Sequence, residues 1–138
     1  MPKQKTVLVF GTFDGLHDGH LFLLREAKKL GDRLIVSVAQ DSTVERFKKR
    51  KPVHALAERI QILRKSGLVD DAVGGDTELG NWSSVKECKP DIIALGYDQS
   101  KLEEKLKEFI TKENLPIVIK KIPPFDGNRL HSRLLRKD

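Results

Sequence analysis

The feature that most constrains this chain is an alternation. Short apolar, β-branched runs end in a glycine or a polar turn, and each is followed by a stretch with helical periodicity. Thr6-Val7-Leu8-Val9-Phe10 stops at Gly11 and is apolar at consecutive positions, the pattern of a strand covered on both faces. Arg33 to Ala39 repeats it, and Val69 to Val73 is a shorter version. Asp91 to Leu95, ending at Gly96, and Leu115 to Ile122 complete the set. The intervening segments read as helices. One ends near Leu30, with Leu23, Ala27 and Leu30 on one face and Gly31 suited to the C′ position. Asp41-Ser42 caps a short second helix. Leu56 to Lys65 is a third, with Ala57, Ile60 and Leu63 inward and Gly67 ending it. Trp82 to Lys86 is a fourth, and Lys101 to Asn114 a fifth with Leu102, Leu106, Phe109 and Ile110 together. A last turn or helix covers Leu130 to Arg136. Such alternation with short connections predicts a doubly wound α/β fold, with helices on both faces of a mostly parallel five-stranded sheet.

Length and composition narrow the function classes. At 138 residues the chain reads as one domain, residues 1–138, large enough to fold without a disulfide or metal staple. A single cysteine, Cys88, excludes an internal disulfide framework and a cysteine-based zinc ribbon. No apolar run approaches the roughly 20 residues that span a bilayer. The segment Met1 to Lys5 lacks a signal-peptide core, so a soluble, cytoplasmic setting is expected. With 26 Lys and Arg against 20 Asp and Glu, the net charge of +6 favours anionic partners such as nucleotides, phosphorylated metabolites or nucleic acid.

In a sheet of this kind ligands sit beyond the carboxyl ends of the strands. Three polar or glycine-containing segments fall there: Gly11–His20, Gln40–Lys51 and Gly96–Gln99. The first, Gly11-Thr12-Phe13-Asp14-Gly15-Leu16-His17-Asp18-Gly19-His20, leaves a strand and enters a helix. A helix N-terminus offers open backbone N–H groups and a partial positive charge, which together favour an anion. Gly11 and Gly15 permit a tight turn, two imidazoles can donate to phosphate oxygens, and Gly19 between them carries no obstructing side chain. The glycine spacing is neither that of a P-loop nor that of a dinucleotide fingerprint. Two other readings stay open: satisfied structural histidines, and a metal pair that lacks a third ligand nearby.

His17-Asp18-Gly19-His20 matches the His-x-Gly-His motif of the nucleotidyltransferase superfamily, and the full ten-residue run resembles the opening of the small cytidylyltransferases and the archaeal-type FAD synthases. The resemblance continues through Leu30-Gly31-Asp32-Arg33, Arg50-Lys51-Pro52 and Lys89 to Gln99, covering nearly the whole chain. It implies a Rossmann-like fold and transfer of a nucleoside monophosphate with release of pyrophosphate. His17, His20 and Lys48 would be catalytic. Gly11, Thr12, Phe13, Asp14, Gly19, Gly96, Asp98, His131 and Ser132 would join the histidines in holding nucleotide. Lys48, Arg50, Arg59 and Arg133 would meet the acceptor or phosphates, and Asp14 would touch Mg2+ through water. Arg133 stands where the related motif has a second hydroxyl. The glycerol-3-phosphate cytidylyltransferase signature Arg-Thr-Glu-Gly-Ile-Ser-Thr is missing.

That chemistry needs no serine or cysteine nucleophile, because an acceptor phosphate is already ionised at neutral pH. Alignment and charge stabilisation do the work. The resemblance favours ATP and FMN as substrates. CTP with a small phosphorylated alcohol is the alternative within the class, and a basic nucleic-acid-binding module the alternative outside it. No nucleic acid and no membrane are the expected partners, and a homodimer is implied only by the resemblance. A flavin ring would need an apolar slot, for which Phe47, Trp82, Tyr97 and Phe125 are the aromatic candidates.

Overall fold

The structure, a computed structural model, describes residues 4–76 and 81–124. Its elements are β1 (Thr6–Gly11), α1 (Asp18–Lys28), β2 (Arg33–Val38), α2 (Asp41–Lys48), α3 (Leu56–Ser66), β3 (Asp71–Gly74), α4 (Ser83–Cys88), β4 (Ile92–Gly96), α5 (Ser100–Glu113) and β5 (Val118–Ile122). The five strands form one sheet in the order β3-β2-β1-β4-β5. All four pairings are parallel, as the alternation predicted.

β1, apolar without a break from Val7 to Phe10, takes the centre. Val7 lies opposite Leu34 on one side and Ile92 on the other. Because side chains alternate across a strand, β1 feeds two cores. Val7 and Val9 join Leu34, Val36 and Val38 beneath Leu24 and Ala27 of α1 and Leu63 of α3. Leu8 points the other way, with Ile35, Ile93 and Leu95, against Val85 of α4 and Leu106 of α5. The edge strands are short or charged: β3 has four residues, and β5 carries Lys120 and Lys121. Both features discourage further strand pairing.

The differences from the sequence reading are local. In α1 the buried residues are Leu24 and Ala27, with Leu23 and Leu30 only partly covered. Ala57 is exposed, while Arg59 of the same helix is buried. The N-cap of α2 is Gln40, without a side-chain cap bond, so Asp41 is free for another partner. α2 also absorbs the start of the basic stretch, running to Lys48 before Lys49 turns left-handed. β5 starts at Val118 rather than Leu115. Asn114 ends α5 in the left-handed region, and the Leu115 N–H turns back to the Ile110 carbonyl, the bond of a helix-terminating turn. Pro116 then has no N–H to give a ladder. The proposed terminal helix, Leu130 to Arg136, lies outside the described residues.

Candidate active site

The loop leaving β1 is held from below by Arg59. This side chain has no exposed surface. Its Nε donates to the His54 carbonyl at 3.0 Å, Nη1 to the Thr12 carbonyl at 2.9 Å, and Nη2 to Oδ1 of Asp41 at 2.6 Å. A buried guanidinium is tolerable only with such acceptors around it. The expectation that Arg59 meets acceptor or phosphate is therefore corrected: sealed from solvent, it joins three loops. Asp14 completes the brace. Its Oδ2 accepts from the Val53 N–H at 2.7 Å and its Oδ1 from the His54 N–H at 2.8 Å. Burial alone would raise the Asp14 carboxyl. Those two N–H groups, with His54 and Arg59 beyond, outweigh it and hold the group below the ordinary carboxylate value.

Two backbone features shape the loop. Gly15 is left-handed at φ 92°, as its turn role required. Phe13 is also left-handed, at φ 49°, and its ring is buried. A Cβ on Gly11 would sit 2.6 Å from that ring, so Gly11 is needed for the ring to fold back over the strand end.

The two histidines are built into the helix start. His17 is the N-cap of α1, and its Nδ1 accepts from the N–H groups of Gly19 at 3.1 Å and His20 at 3.4 Å. In return His20 Nδ1 accepts from the His17 N–H at 3.4 Å. This is a capping box made of imidazoles. The rings stack with centroids 3.6 Å apart, and His20 also lies against Phe13 at 5.1 Å. A Cβ at Gly19 would come within 3.0 Å of the His17 ring, which gives the glycine a sharper reason than an open path for phosphate. The expected open N–H groups are thus partly filled. Assigned from these bonds, each ring keeps its proton on Nε2. The donor surface of the helix start is carried outward from the backbone to the imidazoles.

Burial holds the His20 pKa below the ordinary imidazole value, and the charges of His17 and Lys48 push it the same way. The Gly15 carbonyl and the Asp98 carboxylate only partly offset them. Lys48 and Asp98 are therefore within electrostatic reach of His20, against which His17 stacks. Lys48, Arg50 and Asp98 are exposed. Gly96 is not. It is buried, and its N–H donates to Oε1 of Gln99 at 2.8 Å, while Gln99 Nε2 donates to the Phe10 carbonyl at 2.9 Å. The Gly96 N–H therefore cannot read a base edge in this arrangement, and Tyr97 and Asp98 are the accessible part of that loop. His131, Ser132, Arg133 and Phe125 lie outside the described residues, as does the side chain of Phe47.

On the other face of β1 a cavity of about 440 Å³ opens between the ends of β1 and β2 and the helices α4 and α5, with Trp82 in its wall. Sequence reasoning missed Asp41, Gln99 and most of this cavity. Its signals were Ser37, a hydroxyl interrupting an apolar strand, and Trp82, already a candidate for an apolar slot. Among the described residues no group of three His, Cys, Asp or Glu could hold a metal ion, and no helix is long and apolar enough to cross a membrane.

The chain belongs to the cytidylyltransferase-like family, which it matches over residues 8–138. It is 42% identical over 125 residues to an FAD synthase of Thermococcus sibiricus, covering 89% of this chain and 84% of that protein. With an FAD synthase of Methanosarcina barkeri it shares 43% over 117 residues, 85% of this chain and 82% of the relative. A crystal structure described as a lipopolysaccharide core biosynthesis protein of Thermoplasma volcanium superposes with a TM-score of 0.82 at 39% identity, over 90% of this chain and all of that one. A pantoate-β-alanine ligase of Francisella tularensis, 18% identical at a TM-score of 0.62, shares the fold.

Two predictions follow from this geometry. Replacing Asp41 with Ala leaves a sealed guanidinium without its counter-charge, and should lower the unfolding free energy by about 3 kcal/mol in urea titrations. His20 gives a pH signature. Its folded pKa is lowered, so as pH falls below about 6.5 the unfolded chain takes up a proton that the folded chain refuses. Stability should therefore decline on acidification until the folded pKa is passed. His20→Gln should remove that part of the slope, as read from thermal melts between pH 5 and 7.5 (a window set by the ordinary imidazole value).

Proposed function

We propose that the protein transfers AMP from ATP to FMN, giving FAD and pyrophosphate. The observation that carries this reading is the imidazole-capped helix start, in a chain with 42% identity to an FAD synthase across 89% of its length. An oxygen of the FMN phosphate attacks the α-phosphorus of ATP. The bond from that phosphorus to the β-bridging oxygen breaks, and pyrophosphate leaves with the bond's electron pair. No proton has to move before attack, so the protein's part is alignment and charge.

His17 is assigned to donate from Nε2 to triphosphate oxygens as negative charge shifts toward the leaving group, and His20, whose ring also meets the Gly15 carbonyl, joins it by exchanging that contact for phosphate. Lys48, beside His20, supplies a mobile cation for the same phosphates, and Arg50 extends the basic edge. His131, Ser132 and Arg133 are assigned to the triphosphate on the resemblance alone, and Asp98 to the nucleotide's ribose or base. The donor set suits Mg2+ only as part of the nucleotide complex: the described residues form no closed protein cage, and hard divalent cations readily keep phosphate and water ligands. When bound it would neutralise phosphate charge. Asp14 and Asp98 are the carboxylates placed to meet its water shell, and each Asp14 oxygen keeps a lone pair beyond its backbone bond.

The decisive assay follows FAD and pyrophosphate formation with ATP plus FMN, beside CTP plus glycerol 3-phosphate. FAD is expected from the first mixture alone, and a CDP-alcohol from the second would overturn the reading. His17→Asn separates catalysis from folding. Asparagine is a good N-cap, so the melting free energy should move by no more than about 0.5 kcal/mol. Turnover should fall about 100-fold or more, as for loss of an oxyanion donor. A variant that loses stability and activity in proportion would make His17 a structural cap only.

A further inference from the structure

The cavity behind β1 is lined by Gly11 and Thr12, where the loop toward the histidine cluster begins, and by neither His17 nor His20. It lies on the α4 and α5 face, whereas His20 packs on Phe13, part of the core on the α1 face. At about 440 Å³ it is in the size range of small-molecule sites. Three properties define what it can take. Its sides are flat and apolar: Phe10, Trp82 and Leu102, with the Trp82 indole edge-on to Phe10 at 6.2 Å. Its floor holds Ser37 and Ser84, both buried, with hydroxyl oxygens 2.8 Å apart. One of these hydroxyls donates to the other, and the remaining proton has no acceptor among the described residues. Its rim carries Lys101 and Lys105, one turn apart on α5 and both exposed, with no ion pair among the described residues. Lys107, on the same helix, is paired with Glu103 at 3.1 Å.

An apolar slab edged by side-chain donors fits a planar heteroaromatic ring with acceptors along its edge. A small polyol phosphate has no such surface to bury. Adenine and cytosine each present an exocyclic amine, which ammonium groups cannot receive; the one carboxylate in the lining, Asp76, already holds the Ser83 N–H at 2.8 Å. The isoalloxazine ring carries two carbonyl oxygens and two bare ring nitrogens against one N–H. We infer that this cavity receives the isoalloxazine ring of the acceptor, with Trp82 as its wall and Lys101 and Lys105 on its carbonyl edge. The ribityl chain then passes Thr12 to bring the phosphate to the histidines. This inference rests on FMN being the acceptor.

The test uses Lys101→Ala/Lys105→Ala, a double variant of exposed residues, and Trp82→Leu, each checked by thermal melt. KM for FMN and for ATP is measured in the FAD-forming assay, and binding of riboflavin, which lacks the phosphate, is followed by flavin fluorescence. The lysine variant should raise KM for FMN about tenfold, weaken riboflavin by a similar factor and leave KM for ATP within about twofold. If FMN weakens but riboflavin does not, the lysines hold phosphate and the ring assignment is wrong. A rise in KM for ATP alone would place the adenine there, and unchanged constants would also overturn the inference; in these cases FMN remains the acceptor. If the unaltered protein makes no FAD, the functional reading fails and the inference with it. Trp82→Leu guards against a lysine effect through charge alone: it should weaken riboflavin while preserving the net charge.

Discussion

The site depends on one sealed charge. Arg59 lies on α3, yet its guanidinium holds the Thr12 carbonyl after β1, the Asp41 carboxylate at the start of α2 and the His54 carbonyl before α3. A cation removed from water must keep its acceptors, so none of these segments can drift without stranding it. Asp14 adds two bonds to the backbone of Val53 and His54 across the same gap. The loop bearing the histidines and the segment after the basic stretch are therefore held as one body. Asp41 is half exposed while Arg59 is not, so the knot keeps one end in water, where the ion pair is least costly to desolvate.

On that base the imidazoles convert a helix end into a donor surface. Had the first-turn N–H groups faced the ligand directly, their reach would have been fixed by the backbone. Here Gly19 and His20 donate to His17 Nδ1 instead, and the ring presents its Nε2–H. Donation into Nδ1 polarises the opposite N–H, so the field of the helix start is passed on rather than blocked. The spacing of the motif follows: N-cap and N3 are the positions of a capping box, and glycine at N2, Gly19, spares the capping ring a Cβ that would crowd it at 3.0 Å.

What the sequence revealed was what periodicity and chain order control. Val7 to Phe10 was legible as a strand covered on both faces because every position is apolar. α5 was legible because Leu102, Leu106, Phe109 and Ile110 repeat at helical spacing. Burial of a charge has no such signature. Arg59 was expected at acceptor or phosphate because the resemblance implied it, and only the folded chain shows three acceptors converging on it. Gly96 misled for the complementary reason. A glycine at a strand end suggests close ligand approach, but the Gln99 side chain, three residues on, takes its N–H first. Lys101 and Lys105 were hidden in plain composition: on a helix rich in lysine, nothing in spacing distinguishes two that rim a cavity from one that pairs with Glu103.

The alternation of β1 also explains how chemistry and selection can be kept apart. Val7 and Val9 send their side chains toward α1, whose N-terminus carries the histidines, while Leu8 and Phe10 point to the face where α4 and α5 leave the cavity. The chain passes from the cavity lining to the histidine loop at Gly11 and Thr12. There Phe13, left-handed and buried, folds its ring over a glycine that could hold no side chain. The backbone at this junction is strained, and strain of this kind persists only where surrounding contacts over-determine it. Arg59 supplies that restraint through the Thr12 carbonyl. Residues in the cavity wall can then change without disturbing the imidazoles, because the bonds that set the imidazoles run through α1 and the Arg59 knot. A fold arranged in this way can keep one phosphate chemistry and vary its acceptor by altering the opposite face of a single strand.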